Sequence, residues 1–135
     1  MLITTRTPGL DPRVESYLVK HILEGLALAS APFFRQMKLP DLYESGIKFA
    51  PEPNHGEFEE FALPWVTLAR KWGDCDDLII YRLAQIISEG KKAKVRCAFY
   101  GNEMHVQIRH QNGSLEDPSQ KLGAPTNWPK EILQC

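Results

Sequence analysis

Between Asp74 and His110 the hydrophobic period changes from helical to alternating, and this switch limits the fold more than any other feature. In DCDDLIIYRLAQIISEG, Leu78, Ile79, Leu83, Ile86 and Ile87 form an apolar stripe at helical spacing, widened by Ile80, Tyr81 and Ala84. So broad a stripe predicts a helix buried on more than one side. Asp74 has the chemistry of an N-cap, Asp77 stands where a capping box needs it, and Gly90 is placed to end the helix. AKVRCAFYG then puts Val95, Cys97 and Phe99 on one face of a strand, and NEMHVQIRH does the same with Met104, Val106 and Ile108. YGNEM and HQNGS carry hairpin signals, the second with the Asn112-Gly113 pair favoured by type I′ turns, and SLEDPS follows as a short strand. The pattern predicts an α+β fold in which N-terminal helices pack on a small antiparallel sheet.

Upstream, Asp11 is placed as an N-cap and Pro12 at a first helical position; Val14, Tyr17, Leu18, Ile22 and Leu26 then recur at helical spacing. They predict a helix over 12–30, ended by Pro32 and preceded by an irregular arm with an extended stretch at Leu2–Thr5. Residues 31–63 are rich in Pro, Gly, Asn and acids but too aromatic for a disordered linker. They read as an ordered loop region with extended pieces at Ile47–Phe49 and Glu57–Phe58, of the kind that builds a site wall. A short helix follows Pro64, residues 64–123 form the core, and 124–135 form a tail with room for one helical turn. The 135 residues suit one domain.

Sixteen basic residues face seventeen acidic ones, and the net charge of −1 offers no electrostatic case for a nucleic-acid or membrane partner. The basic run Gly90–Arg96 reads as a solvated turn. No apolar run reaches the roughly 18 residues that span a bilayer. The N-terminus lacks the order of a signal peptide, so a cytoplasmic protein is expected. The three cysteines, Cys75, Cys97 and Cys135, form neither a disulfide framework nor a metal pattern, which fits a reduced compartment. DCDD lacks the alternating acids and glycine of a calcium loop, and one Cys with one His does not complete a zinc tetrahedron. Neither metal nor cofactor is expected.

Cys75 falls in the first turn of the predicted helix, where unpaired N–H groups favour negative charge. Three neighbouring aspartates oppose a thiolate, and a dipole worth about 0.3–1 kcal/mol cannot outweigh them. Activation therefore requires a histidine. His105 shares a strand face with Gln107 and Arg109, away from Met104, Val106 and Ile108, and is better placed than His21, His55 or His110. A basic histidine needs an acceptor to hold its tautomer. Asp117 lies one hairpin away, with Glu116 and Glu103 as alternatives; alternation puts Glu116 and Asp117 on opposite faces. The competing reading is a structural cysteine, a turn histidine and a turn-capping Asp-Pro.

The elements GDCDDL, HVQI and NGSLEDPS, in that order, resemble the transglutaminase-like branch of the papain-like cysteine hydrolases, over residues 64–123. LYESGIKFAPEP and EDPSQKLG are further similar to small proteins of that type from phage and prophage genomes. The resemblance implies a papain-like core with the nucleophile at a helix N-terminus, Cys75 attacking, His105 acting as general base and acid, and Asp117 holding His105. It implies acyl transfer from an amide in a protein or peptide substrate, with hydrolysis favoured over cross-linking for so small a core. The family also holds inactive members, so a non-catalytic assembly protein that meets phage structural proteins and associates with a virion is the alternative. The Cys75 N–H is a natural oxyanion donor. ARKWGD supplies no glutamine as the second, leaving Tyr43, Trp65 and Trp72 as candidates.

Overall fold

The computed structural model describes residues 2–5, 12–51, 59–100, 103–124 and 133–134. Helix and sheet are mixed, in the order β1 (Leu2–Thr5), α1 (Pro12–Gln36), a 3-10 turn (Leu42–Glu44), β2 (Lys48–Phe49), β3 (Glu59–Ala62), α2 (Pro64–Arg70), β4 (Trp72–Gly73) and α3 (Cys75–Ser88). Then come β5 (Ala93–Tyr100), β6 (Glu103–His110), β7 (Leu115–Glu116), α4 (Pro118–Lys121) and β8 (Leu133–Gln134). The main sheet has the antiparallel order β7-β6-β5-β8; β1 pairs with β3, and β2 pairs in parallel with β4.

α3 is the central element. Leu78, Ile79, Ile80, Tyr81, Leu83, Ala84 and Ile86 are all at most 1% exposed, so the helix is buried on more than one side. α1 packs on one side and β5 and β6 on another, through Val95, Cys97, Val106 and Ile108. The helix ends as its glycine predicts. Gly90 takes φ +80, its N–H donates to Ile87 O, and Lys91 N–H donates to Ile86 O, which is the Schellman pattern.

The stripe on α1 differs from the sequence expectation. Val14, Tyr17 and Leu18 are exposed; Val19, Leu23, Ala27 and Phe34 are buried, flanked by Ser16, Ser30 and Ala31. The small residues on that face let α1 approach α3 closely, and packing decided between two apolar faces that periodicity could not rank. Nor does Pro32 end the helix, which continues to Gln36. An interior proline costs about 3 kcal/mol. Burial of Phe34, edge-on to Tyr81 at 5.2 Å, offsets that loss beyond the proline. The turn is made later, where Lys38 adopts φ +53. Residues 31–36 are thus helical and 59–62 a strand, within the span read as loop.

Three smaller readings are corrected or bounded. The 110–114 turn is not type I′: Gly113 is left-handed at φ +89 but Asn112 is not, and His110 N–H donates to Ser114 O. This is the three-residue hairpin with glycine at its left-handed position. Leu133 and Gln134 join the sheet as β8, and residues 125–132 and 135, on which most of the expected helical turn falls, lie outside the described residues. The expected Glu57–Phe58 strand, His55 and the Asp11 cap lie outside the described residues.

Gly73 is dictated by space. A Cβ there would sit 2.9 Å from Asp77 Cβ and 3.2 Å from Thr67 Cγ2. Both neighbours are carried on packed helices. Gly73→Ala is expected to cost about 1–3 kcal/mol in urea unfolding, as other overpacked sites do. A stability within 0.5 kcal/mol of wild type would show that the strand shifts freely.

Candidate active site

The site begins at the cap of α3. Asp74 accepts the Asp77 N–H at 3.0 Å, and Asp77 accepts the Asp74 N–H at 3.2 Å, a complete capping box. Cys75 is the next residue, at the first helical position, and is half-buried. Its Sγ lies 4.0 Å from Asp76 Oδ1. The third acid is turned elsewhere: Asp77 also accepts the Ala62 N–H at 2.8 Å and pairs with Arg70 Nη2 at 2.5 Å. Burial, followed by the charge of Asp74, pushes Asp77 up to about 7, against the pull of Ala62 and Arg70.

His105 and Asp117 meet directly. His105 Nε2 is 2.5 Å from Asp117 Oδ2, and both side chains are nearly buried. Asp117 divides its oxygens between two tasks. Oδ1 caps α4, accepting from Gln120 N–H at 3.2 Å and Ser119 Oγ at 2.9 Å; Oδ2 takes His105 and Gln107 Nε2, the latter at 3.2 Å. Burial alone would raise the Asp117 pKa, but the His105 hydrogen bond and charge, with the cap bonds, hold it below the ordinary range. The turn-capping and histidine-holding readings of Asp117 are both realised. Gln107 is the neighbour not singled out from sequence, although alternation had placed it on the His105 face.

That face is the one opposite Val106 and Ile108. His105 and Gln107 stand in register with Ala98 and Arg96, whereas Val106 and Ile108 oppose Cys97 and Val95. Cys75 Sγ thus meets Asp76, and His105 meets Asp117.

The alternatives are used elsewhere. Glu116 accepts from Tyr43 Oη, from Arg82 Nε at 2.7 Å, and contacts His110 Nε2 at 2.9 Å. Burial would raise its pKa, but the Arg82, Tyr43 and His110 bonds overcome this and hold it at about 2. A carboxylate depressed from 4.5 stabilises the fold above pH 4.5, and the contribution is lost as pH falls towards 2. A depression of this size is worth about 3 kcal/mol. Glu116→Gln should flatten that part of the acid-unfolding profile, and an unchanged slope between pH 4.5 and 2 would exclude this network as its source. The Glu103 side chain lies outside the described residues. His21 sits beside Tyr17 on α1.

The three side chains considered as a second oxyanion donor have these contacts. Tyr43 donates to Glu116, and its pKa is raised, first by burial and then by that bond. Trp65 packs edge-on to Phe33 at 6.0 Å, and the Arg70 guanidinium lies 3.8 Å over Trp72. Tyr43 is thus engaged by Glu116, while the Trp65 and Trp72 rings make packing and cation–π contacts.

The chain matches no protein-family model, no curated protein and no solved structure. Among the described residues no group of three or more His, Cys, Asp or Glu could hold a metal ion, and no described helix is long and apolar enough to cross a membrane.

Proposed function

We propose that this protein is a cysteine-dependent acyl-transfer enzyme acting on amide bonds of a protein or peptide, with a papain-like, transglutaminase-like core. The supporting observation is the buried His105–Asp117 bond in a domain that also places Cys75 at the first turn of a capped helix. Asp117 takes Nε2, so Nδ1 is the ring nitrogen that exchanges a proton with Cys75. In this reading Cys75 and His105 act as one pair, with His105 as general base and acid to the sulfur. The Cys75 thiolate attacks the amide carbonyl, forming the C–S bond. The imidazolium protonates the departing amine as the C–N bond breaks. His105 then takes a proton from water as the water attacks the thioester; the C–S bond breaks, the acid leaves, and the Cys75 thiolate and His105 imidazolium are restored. Hydrolysis, as in a peptidase, amidase or deamidase, is favoured over transfer to a second amine. The test is the rate of Cys75 alkylation against pH. An activated thiol reacts well below pH 7, and an ordinary profile near 8.5 would overturn the proposal.

A second reading, a phage-type assembly protein using the same fold, has its own support. Val14, Tyr17, Leu28, Phe33 and Met37 of α1 and its end are all at least 47% exposed. Under this reading Tyr17→Glu disrupts assembly and Cys75→Ala does not.

A further inference from the structure

Asp117 is held at both oxygens, from two different elements. Oδ1 belongs to α4, where it accepts the Gln120 N–H and the Ser119 hydroxyl. Oδ2 belongs to β6: it meets His105 Nε2 at 2.5 Å and accepts from Gln107 Nε2 at 3.2 Å. A carboxylate has about four acceptor positions, so this one is filled. His105 and Gln107 are two apart on β6, so their side chains leave one face of the strand about 7 Å apart along it. The oxygen that meets the imidazole is therefore located in the frame of the strand that carries the imidazole. Asp117 itself caps a helix of only four residues, a less rigid support.

Gln107 can do this only if its amide faces one way, and Arg96 decides which. The two are direct partners in the β5–β6 ladder, and Arg96 Nη1 donates to Gln107 Oε1 at 2.5 Å. Arg96 is buried. A guanidinium has donors only, and an ionised carboxylate has acceptors only. Turning the amide over would set its NH₂ against the guanidinium and its oxygen against the carboxylate, two repulsive contacts in a setting of low dielectric. Accepting from Arg96 occupies only Oε1. The other end of the amide reaches the oxygen that meets His105, not the one that caps α4.

We propose that Gln107, oriented by Arg96, is a positioning residue of the candidate site: it holds Asp117 Oδ2 on His105 Nε2 and so leaves Nδ1 as the nitrogen that serves Cys75. This assignment rests on the reading of Cys75 and His105 as a catalytic pair. Gln107 and Arg96 act through Asp117. The polarity of the row runs one way, from the donor-only Arg96 through the amide to the acceptor-only Asp117, which receives the ring N–H.

The experiment has two parts, both on the full chain. In ¹⁵N-labelled wild type, long-range proton–nitrogen spectra at about pH 8 should place the His105 ring proton on Nε2. That proton should show an NOE to the Gln107 side-chain amide, since both donate to one oxygen. In steady-state hydrolysis of p-nitrophenyl acetate, Gln107→Met should lower kcat about tenfold with KM unchanged. A misplacement of about 1 Å can cost about 10²-fold, and here Oδ2 keeps its bond to His105. Arg96→Met should have a smaller effect, and should add nothing in the Gln107→Met background. A proton on Nδ1 alone, or no NOE, would overturn the proposal even if both variants failed to fold. So would an unchanged kcat in Gln107→Met, a rise in KM alone, or a further loss from Arg96→Met in the double variant. Any of these results with an active wild type leaves the enzyme reading standing. A wild type with neither Cys75-dependent hydrolysis nor an activated alkylation profile would overturn both.

Discussion

At pH 6, His105→Ala is expected to slow alkylation of Cys75 by about tenfold, and to lower turnover of an amide substrate by about 10⁴-fold. The two numbers differ for a physical reason. A thiol near its ordinary value of about 8.5 is only about 0.3% ionised at pH 6, so full ionisation supplies about 300 times more thiolate. Nucleophilicity falls with basicity, however, with a Brønsted coefficient of about 0.4–0.5. A thiolate made about three pH units less basic therefore loses roughly 20- to 30-fold in intrinsic reactivity, leaving about tenfold. Turnover needs more from His105, because the departing amine must be protonated and water deprotonated. Asp117→Asn should lower turnover about as much by fixing the wrong imidazole tautomer. It should spare much of the fold, since an asparagine still caps α4 through its carbonyl oxygen. Equal alkylation profiles for wild type and His105→Ala would remove His105 from the site. Loss of turnover in Asp117→Asn with Tm lowered by many degrees would mean that the cap, not the tautomer, was the cause.

The sequence was most informative where local rules and burial agree. Asp74, Asp77 and Gly90 announce both ends of α3, and each makes the hydrogen bond or backbone angle its chemistry favours. Alternation separated Glu116 from Asp117, and they do face different partners, Arg82 for one and His105 for the other. What was illegible depended on long-range packing. α1 has two apolar faces, and only the approach of α3 selects the one with Ala27 and Ser30. Pro32 is a strong local stop, overridden because Phe34 lies beyond it against Tyr81. Arg82, Tyr43 and His110 come from three separate elements, so their convergence on Glu116 leaves no local trace in the sequence.

Asp77→Ala is expected to be the most destabilising single change near the site, at about 3–5 kcal/mol in urea unfolding. Asp77 is fully buried, and its carboxyl joins the α3 cap, β3 through Ala62 and α2 through Arg70. Alanine leaves two buried N–H donors without their acceptor and deprives Arg70 of its carboxylate. Arg70 stays over Trp72 and keeps some access to water, which places the expected loss towards the lower end of that range. Asp77→Asn should cost less and should carry a diagnostic pH dependence. The Asp77 carboxyl is raised in the fold from 3.8 to about 7, chiefly by burial and secondly by Asp74. A carboxyl raised on folding contributes stability that is complete below the unfolded value and is lost as pH rises through the folded one. The stability gap between wild type and Asp77→Asn should therefore be widest near pH 4 and narrow towards pH 7. A gap that widened with rising pH would mean that Arg70 holds Asp77 fully ionised. Cys75 would then face three complete negative charges, and its activation would rest more heavily on His105.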